Sequence, residues 1–295
     1  MTLTRRRFMS ISAAALAAPS AALAGQSARW RGVALGAPAT MVLAGVTPQE
    51  ARPVFAALEA ELQRLEGIFS LYHTDSALVR LNAEGRLDAP PPEMLEVLTL
   101  AGAIHDATDG AFDPSVQPLW TARAAGRDET AARACVGWRT VRFDAGTVRF
   151  ARPGMALTLN GIAQGYITDR IADLLRSRGF GNVLVDIGEV AARGQNADGA
   201  PWRAGIADPE GRVVERVTLR DRALATSAPM GTVLSGGQGH IIDPSGRAPR
   251  LALVSVSAPR AAVADGLSTA LCLVDAAAGS YAVSRFAGAR IEAVA

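Results

Sequence analysis

Asp265 and Thr269 stand four residues apart in the run AAVADGLSTALCLV (261–274), whose spacing predicts a helix. At that spacing both side chains leave one helix face. The face can therefore offer a carboxylate and a hydroxyl to a hard cation such as Mg²⁺, which takes oxygen ligands and keeps water and phosphate in its shell. The same pair also suits a purely structural role, an acid near a helix start and a hydroxyl bonded back to the backbone. A second candidate is His240, which follows a glycine-rich loop (231–239) and precedes Ile-Ile-Asp243-Pro244. A histidine at such a junction, with Asp243 three residues on, can be oriented to move a proton, although a lone histidine also serves structure alone. The three histidines, His73, His105 and His240, and the two cysteines are too scattered for a tetrahedral zinc site. No G-x-S-x-G elbow, Walker A loop or Rossmann fingerprint occurs. Every basic residue is arginine, which removes lysine as a nucleophile or Schiff base.

The elements that must position these groups centre on ALTLNGIAQGYITDRIADLLRSRGFGNVLVDIGEVAARG (156–194). It reads as strand, glycine-broken turn, helix over 166–178, glycine stop, buried strand and second glycine turn. Ile167, Ile171, Leu174 and Leu175 form the apolar face of that helix, and Asp169 and Asp173 are expected on its outer side. The run 183–187 is apolar apart from Asp186, as in a strand buried in a sheet. A tight turn at a helix N-terminus suits a phosphate, and equally a plain packing unit whose glycines only serve the turns. Elsewhere the pattern predicts a strand-like stretch over 30–43 interrupted by Gly32 and Gly36, and a helix over 48–69 with Val54, Leu58, Leu62 and Leu65 inward. Thr74, Asp75 and Ser76 form a turn and cap that leave Tyr72 at a loop mouth. A helix over 93–108 and a turn over 109–115 follow. A hairpin over 138–150 bends at Asp144-Ala-Gly146, and antiparallel strands cover 202–207 and 213–219. A strand over 251–257 and a helix–strand pair over 280–294 complete the chain. There is no internal repeat and no linker long enough to force a boundary.

The chain of 295 residues has ample apolar content for a core. Thr4-Arg5-Arg6-Arg7-Phe8-Met9-Ser10 fits the twin-arginine export pattern, and Ala22-Leu23-Ala24 offers a small-residue cleavage site. The reading is a Tat signal over 1–24 and a mature periplasmic chain over 25–295, the apolar run being too short and weak for stable membrane insertion. Removing Arg5, Arg6 and Arg7 takes the 30 basic residues to 27 against 28 acidic ones. Nothing basic enough for nucleic acid remains. Cys135 and Cys272 are expected as two separate buried thiols.

Seven short segments in order carry a resemblance: Val33-Ala-Leu-Gly36, Ser70-Leu-Tyr-His-Thr-Asp-Ser76, Gly110-Ala-Phe-Asp-Pro114, Asn160-Gly-Ile-Ala-Gln-Gly-Tyr166, Ala225-Thr-Ser227, His240-Ile-Ile-Asp-Pro244 and Ala264-Asp-Gly-Leu-Ser-Thr269. Together they resemble the ApbE family of FAD:protein FMN transferases, in particular its Tat-exported, NosX-like branch. The resemblance implies an α+β, tunnelling-fold-like core of mixed or antiparallel sheet with packed helices and an FAD cleft between two lobes of one domain. It implies a Mg²⁺-dependent enzyme that takes FAD as substrate, joins FMN to a Thr or Ser hydroxyl of a client flavoprotein and releases AMP. The metal positions would be Asp265, Thr269, the Gly161 carbonyl and Ser268. The FAD-contact positions would be Leu35, Tyr72, Ala111, Phe112, Asp113, Thr158, Gln164 and Ile242, with His240 and Asp243 near the reacting phosphate. Thr158 stands where the family usually has Asp, and Gln164 where Lys or Glu is common. A hydrolase that uses water as acceptor, and a flavin carrier without turnover, fit the same residues.

Overall fold

The computed structural model describes residues 25–295; the expected export signal, residues 1–24, lies outside them. A hairpin of β1 (Ser27–Ala34) and β2 (Ala37–Ala44) comes first. It turns at Leu35 and Gly36, both with left-handed backbone (φ 49° and 80°), so the single interrupted strand expected over 30–43 is two. Helix α1 (Pro48–Phe69) has its predicted bounds because Thr47 and Glu50 form a capping box and Val54, Leu58, Leu62 and Leu65 are buried. Helix α2 (Ala77–Glu84) is capped by Ser76, and β3 (Arg86–Asp88) and α3 (Pro92–Ala107) follow. Two short helices, α4 (Gln117–Ala124) and α5 (Thr130–Arg133), precede the predicted hairpin of β4 (Val141–Phe143) and β5 (Thr147–Phe150). Then come α6 (Ala163–Ser177), β6 (Val183–Asp186), β7 (Val190–Arg193), β8 (Trp202–Ala207), β9 (Val213–Leu219) and β10 (Arg222–Ser227). The chain closes with β11 (Val254–Ala258), α7 (Ala261–Leu271), α8 (Ala276–Ser284) and β12 (Arg290–Val294).

Seven strands form one sheet in the order β1-β2-β6-β7-β10-β11-β12, each neighbouring pair antiparallel. Alternation sends Met41, Leu43, Val183, Val185 and Ala223 to the helical face. Their neighbours Val42, Leu184, Val190 and Leu224 face the other side, which the β8–β9 hairpin covers through Trp202, Ile206 and Leu219. With both faces covered, 183–187 had to be apolar almost throughout. This is the expected α+β architecture of antiparallel sheet and packed helices. Among the described residues no helix is long and apolar enough to cross a membrane. Cys135 and Cys272 are separate thiols, as expected, but only Cys272 is buried; Cys135 is half-buried.

Two expectations about the central stretch are corrected. Residues 156–159 pair with no strand. Their backbone is instead clamped by one side chain, Asn82, whose Oδ1 accepts from the Leu157 N–H (2.7 Å) while its Nδ2 donates to the Leu157 carbonyl (2.8 Å). Asp169, expected outside, is fully buried. Its two oxygens accept from the Ala261 and Ala262 N–H groups at 2.8 and 3.0 Å, and Arg260 Nε lies 3.1 Å away. A side chain of α6 thus caps α7, whose first turn has no cap of its own. The reverse also holds, since Asp265 Oδ2 of α7 accepts from the Gly165 N–H at 3.0 Å, in the first turn of α6. The helices cross so closely here that a Cβ on Gly165 would lie 2.4 Å from the Ala261 carbonyl oxygen. Only glycine fits.

Candidate functional site

A cleft lies where the N-terminal turn of α6, the middle of α7, the β6–β7 turn and the loops after α3 and β10 converge. Asp265, Thr269 and Gly161 all border it. The Gly161 backbone packs against Thr269, a Cβ at that glycine falling 3.0 Å from the Thr269 hydroxyl oxygen, and its carbonyl oxygen faces Gly266 of α7. Carboxylate, hydroxyl and carbonyl therefore meet on one wall. Ser227 at the end of β10 braces it, its hydroxyl 3.3 Å from that of Thr269 and 2.8 Å from that of Ser268. Ser268 itself is corrected: it is fully buried, its hydroxyl donates to the Asp265 carbonyl at 3.0 Å, and it holds the helix rather than facing the cleft. The helix N-terminus expected to receive a phosphate is met by Asp265 at Gly165 N–H, so the acid and not the dipole fronts the cleft.

His240 borders the cleft. Its Nδ1 lies 3.0 Å from the Pro229 carbonyl and 3.3 Å from the Thr232 N–H. It cannot donate and accept at once; the tautomer with Nδ1–H toward Pro229 is the one that leaves Nε2 to accept a proton. Burial holds its pKa below the usual 6.5, so the ring is neutral at pH 7. Asp243 does not orient it. That carboxylate accepts from the Ser245 N–H and hydroxyl (2.7 and 2.6 Å) and pairs with Arg247 (3.1 Å), closing its own turn. The Pro229 carbonyl takes the orienting role assigned to Asp243 in the sequence.

Of the FAD-contact positions, Ala111, Phe112, Asp113, Thr158, Gln164 and Ile242 border the cleft. Their loop is rigid: Phe112 is held through its carbonyl to His105 Nδ1 (2.9 Å) and through its N–H to Thr108 Oγ1 (3.1 Å). Asp113 caps the following turn, accepting from the Ser115 N–H and hydroxyl at 2.7 and 2.6 Å. Leu35 and Tyr72 do not border the cleft. Glu66 accepts from the Leu35 N–H and lies 3.7 Å from His73, the residue after Tyr72. Turn geometry at positive φ, invisible in composition, places Leu35 there.

Sequence reasoning passed over Glu189 and Trp120, which also border the cleft. Glu189 sits on the β6–β7 turn with Asp186, and one oxygen of each is buried without a hydrogen bond. Burial first, then the nearby Asp265 and Asp186 charges, push Glu189 well above the usual carboxyl range. Burial likewise lifts Asp265 and Asp186 to about 7. The signal was available as two acids, Asp186 and Glu189, in an otherwise apolar VLVDIGEVAA. Among the described residues no three His, Cys, Asp or Glu side chains converge to chelate a metal alone. A hard ion here would take carbonyl, hydroxyl and ligand phosphate oxygens as well.

Fold and site define an antiparallel α+β protein with an acidic, oxygen-lined cleft. The ApbE family model matches residues 35–294, and the chain belongs to the ApbE family. It is 31% identical over 258 residues to the FAD:protein FMN transferase of Salmonella typhimurium, covering 78% of this chain and 73% of that protein. It is 33% identical over 264 residues to the protein of the same name from Treponema pallidum (76% and 72%). Among solved structures it superposes on the flavin transferase ApbE of Vibrio cholerae with a TM-score of 0.77 at 27% identity, covering 88% of this chain and 91% of that one.

Proposed function

We propose that the protein transfers FMN from FAD to a Thr or Ser hydroxyl of a client flavoprotein and releases AMP, using Mg²⁺. The observation that carries this reading is the single wall on which Asp265, the Thr269 hydroxyl and the Gly161 backbone meet, in the same cleft as the neutral His240. The donor set is all oxygen, with no thiol or imidazole on that wall, and fits Mg²⁺. When bound, the cation supplies charge neutralisation to the FAD diphosphate and to the departing AMP.

The client hydroxyl oxygen attacks the phosphorus on the riboflavin side. A new P–O bond forms from the client oxygen to that phosphorus, the bond from the same phosphorus to the bridging oxygen breaks, and the bridging oxygen leaves with AMP and the electron pair. His240 Nε2 takes the hydroxyl proton, the Pro229 carbonyl holding the ring in the accepting tautomer. Ser227 fixes the Thr269 hydroxyl, and the braced loop at Phe112 offers an apolar surface for a ring of the dinucleotide. The twin-arginine pattern supports action in the periplasm on a membrane-associated flavoprotein, with the flavoprotein regulator of nitrous oxide reduction as the proposed client.

The test is incubation of the protein with FAD, Mg²⁺ and a client domain carrying the acceptor residue. Covalent flavin fluorescence on the client is expected. AMP without labelled client would assign FAD hydrolysis, and neither product would leave a carrier.

A further inference from the structure

We propose that Glu189 is a second carboxylate of the cation site, so that the cleft takes up a divalent cation before FAD arrives. The inference deepens the transferase reading and rests on it for the wall formed by Asp265, Thr269 and Gly161. Glu189 is 6% exposed, borders the same cleft, and has an oxygen, Oε2, with no hydrogen-bond partner. The Thr226 N–H, at the β10 end that also carries Ser227, donates to its carboxylate. The charges it feels are Asp265 and Asp186, both negative, and no arginine or histidine forms an ion pair with any of the three among the described residues.

Buried carboxylates without a counter-charge are costly, and chains keep them where something compensates. Asp169, a helix turn away from the cleft, shows the compensated case in this molecule: two N–H donors and Arg260 face it. Glu189 has no such set. What remains on its cleft side is the oxygen-lined wall, and the charge that would complete it is positive. The Ile187-Gly188-Glu189 turn fixes the approach: Gly188 is left-handed (φ 89°), and the Ile187 N–H donates to the Glu189 carbonyl at 3.1 Å. The Gln164 amide packs on Gly188, 2.6 Å from where a Cβ would be, so a larger residue there would push that side chain aside and be strained by the positive φ. Two carboxylates plus hydroxyl and carbonyl give an ion enough anchorage to bind with water completing its shell, before a diphosphate displaces that water.

The probe is Mn²⁺ alone, titrated into the flavin-free protein and followed by the electron paramagnetic resonance of the free ion, with Mg²⁺ as competitor. The wild type should bind one ion that Mg²⁺ displaces. Glu189→Gln should weaken binding at least tenfold and Glu189→Asp by less. The cation-induced rise in Tm should shrink in parallel, the Tm without cation showing that each variant is folded. A wild type that binds Mn²⁺ only with FAD present, or a Glu189→Gln variant that binds as tightly as wild type, overturns the proposal. The second result would mean a protonated Glu189 that serves as a neutral hydrogen-bond donor. Flavin transfer by the wild type is scored separately. Transfer without Mn²⁺ uptake sinks this inference alone, and Glu189-dependent uptake with neither labelled client nor AMP supports it while sinking the transferase reading.

Discussion

Replacing Asp169 tests whether one helix of the site is held in place by a side chain of the other. The carboxylate accepts from Ala261 and Ala262 N–H at 2.8 and 3.0 Å and lies 3.1 Å from Arg260 Nε, at 0% exposure. Hydrogen bonds to a charged acceptor contribute about 1.5–3 kcal/mol each. Asp169→Ala removes both and leaves two buried donors, so the expected loss is about 3–5 kcal/mol, as for breaking a buried pair. Arg260 adds little, because its side chain is 51% exposed and can return to water. Asp169→Asn keeps one carbonyl acceptor and turns its NH₂ toward the other donor, so about half that loss is expected. Urea denaturation followed by circular dichroism measures both, and the midpoint should fall while the slope stays unchanged. If both variants unfold within about 0.5 kcal/mol of wild type, the capping of α7 by α6 does not stabilise the fold and the reasoning fails.

Four further outcomes follow from the same geometry. Gly165→Ala puts a Cβ 2.4 Å from the Ala261 carbonyl oxygen; overpacking of about 1–3 kcal/mol or more is expected, with loss of flavin transfer as Asp265 moves, read by Tm and client labelling. Asp265→Asn should abolish transfer yet fold, since its amide oxygen can still accept from Gly165 N–H, whereas Asp265→Ala should also lose about 1–3 kcal/mol for the unpaired donor; urea melts separate the two. Protonation of His240 should lower transfer only below about pH 6.5, because burial keeps its pKa under the usual value; that limb of the pH–rate profile should vanish in His240→Ala, which should lower kcat more than it weakens FAD binding. Asp186 has a pKa raised from 3.8 to about 7, so its contribution to stability is full below 3.8 and is lost as pH rises through 7. Cation-free Asp186→Asn should therefore gain up to about 4 kcal/mol over wild type at pH 8 and nothing at pH 4, measured by urea melts at both pH values.

Local signals were legible in the sequence wherever their partners lay nearby. The capping box at Thr47 and Glu50, the bend at Asp144-Ala-Gly146 and the four-residue spacing of Asp265 and Thr269 all act within one turn, and each element formed where the pattern put it. Asp169 and the run 156–159 escaped because their partners are distant. Asp169 looked exposed because its helix has other apolar positions, while the donors that bury it lie 92 and 93 residues on. The run 156–159 looked like a strand because it alternates, and the residue that satisfies its backbone, Asn82, is 75 residues away. Asp243 looked like a partner for His240 by spacing, but Ser245 and Arg247 were closer claimants. Ser268 lies beside Thr269, yet one step along a helix turns a side chain by about 100°, enough to send its hydroxyl into the helix backbone.

The two acids that join α6 and α7 have unequal duties, and the difference explains the shape of the site. Asp169 is saturated: both oxygens are occupied and an arginine stands beside it, so it can only hold. Asp265 spends Oδ2 on Gly165 N–H, and its other oxygen takes no hydrogen bond among the described residues. A single bond fixes the carboxylate plane while leaving half of it available, which is how a ligand is aimed without being consumed. The fixed point is the turn that begins α6, the same turn that carries Gly161 and Gln164, so a shift of α7 would carry the carboxylate and the glycine turn together. Gly165 makes this possible by letting the helices touch backbone to backbone. The stability of the crossing and the geometry of the cleft are therefore one property, and a change that loosens the first must blunt the second.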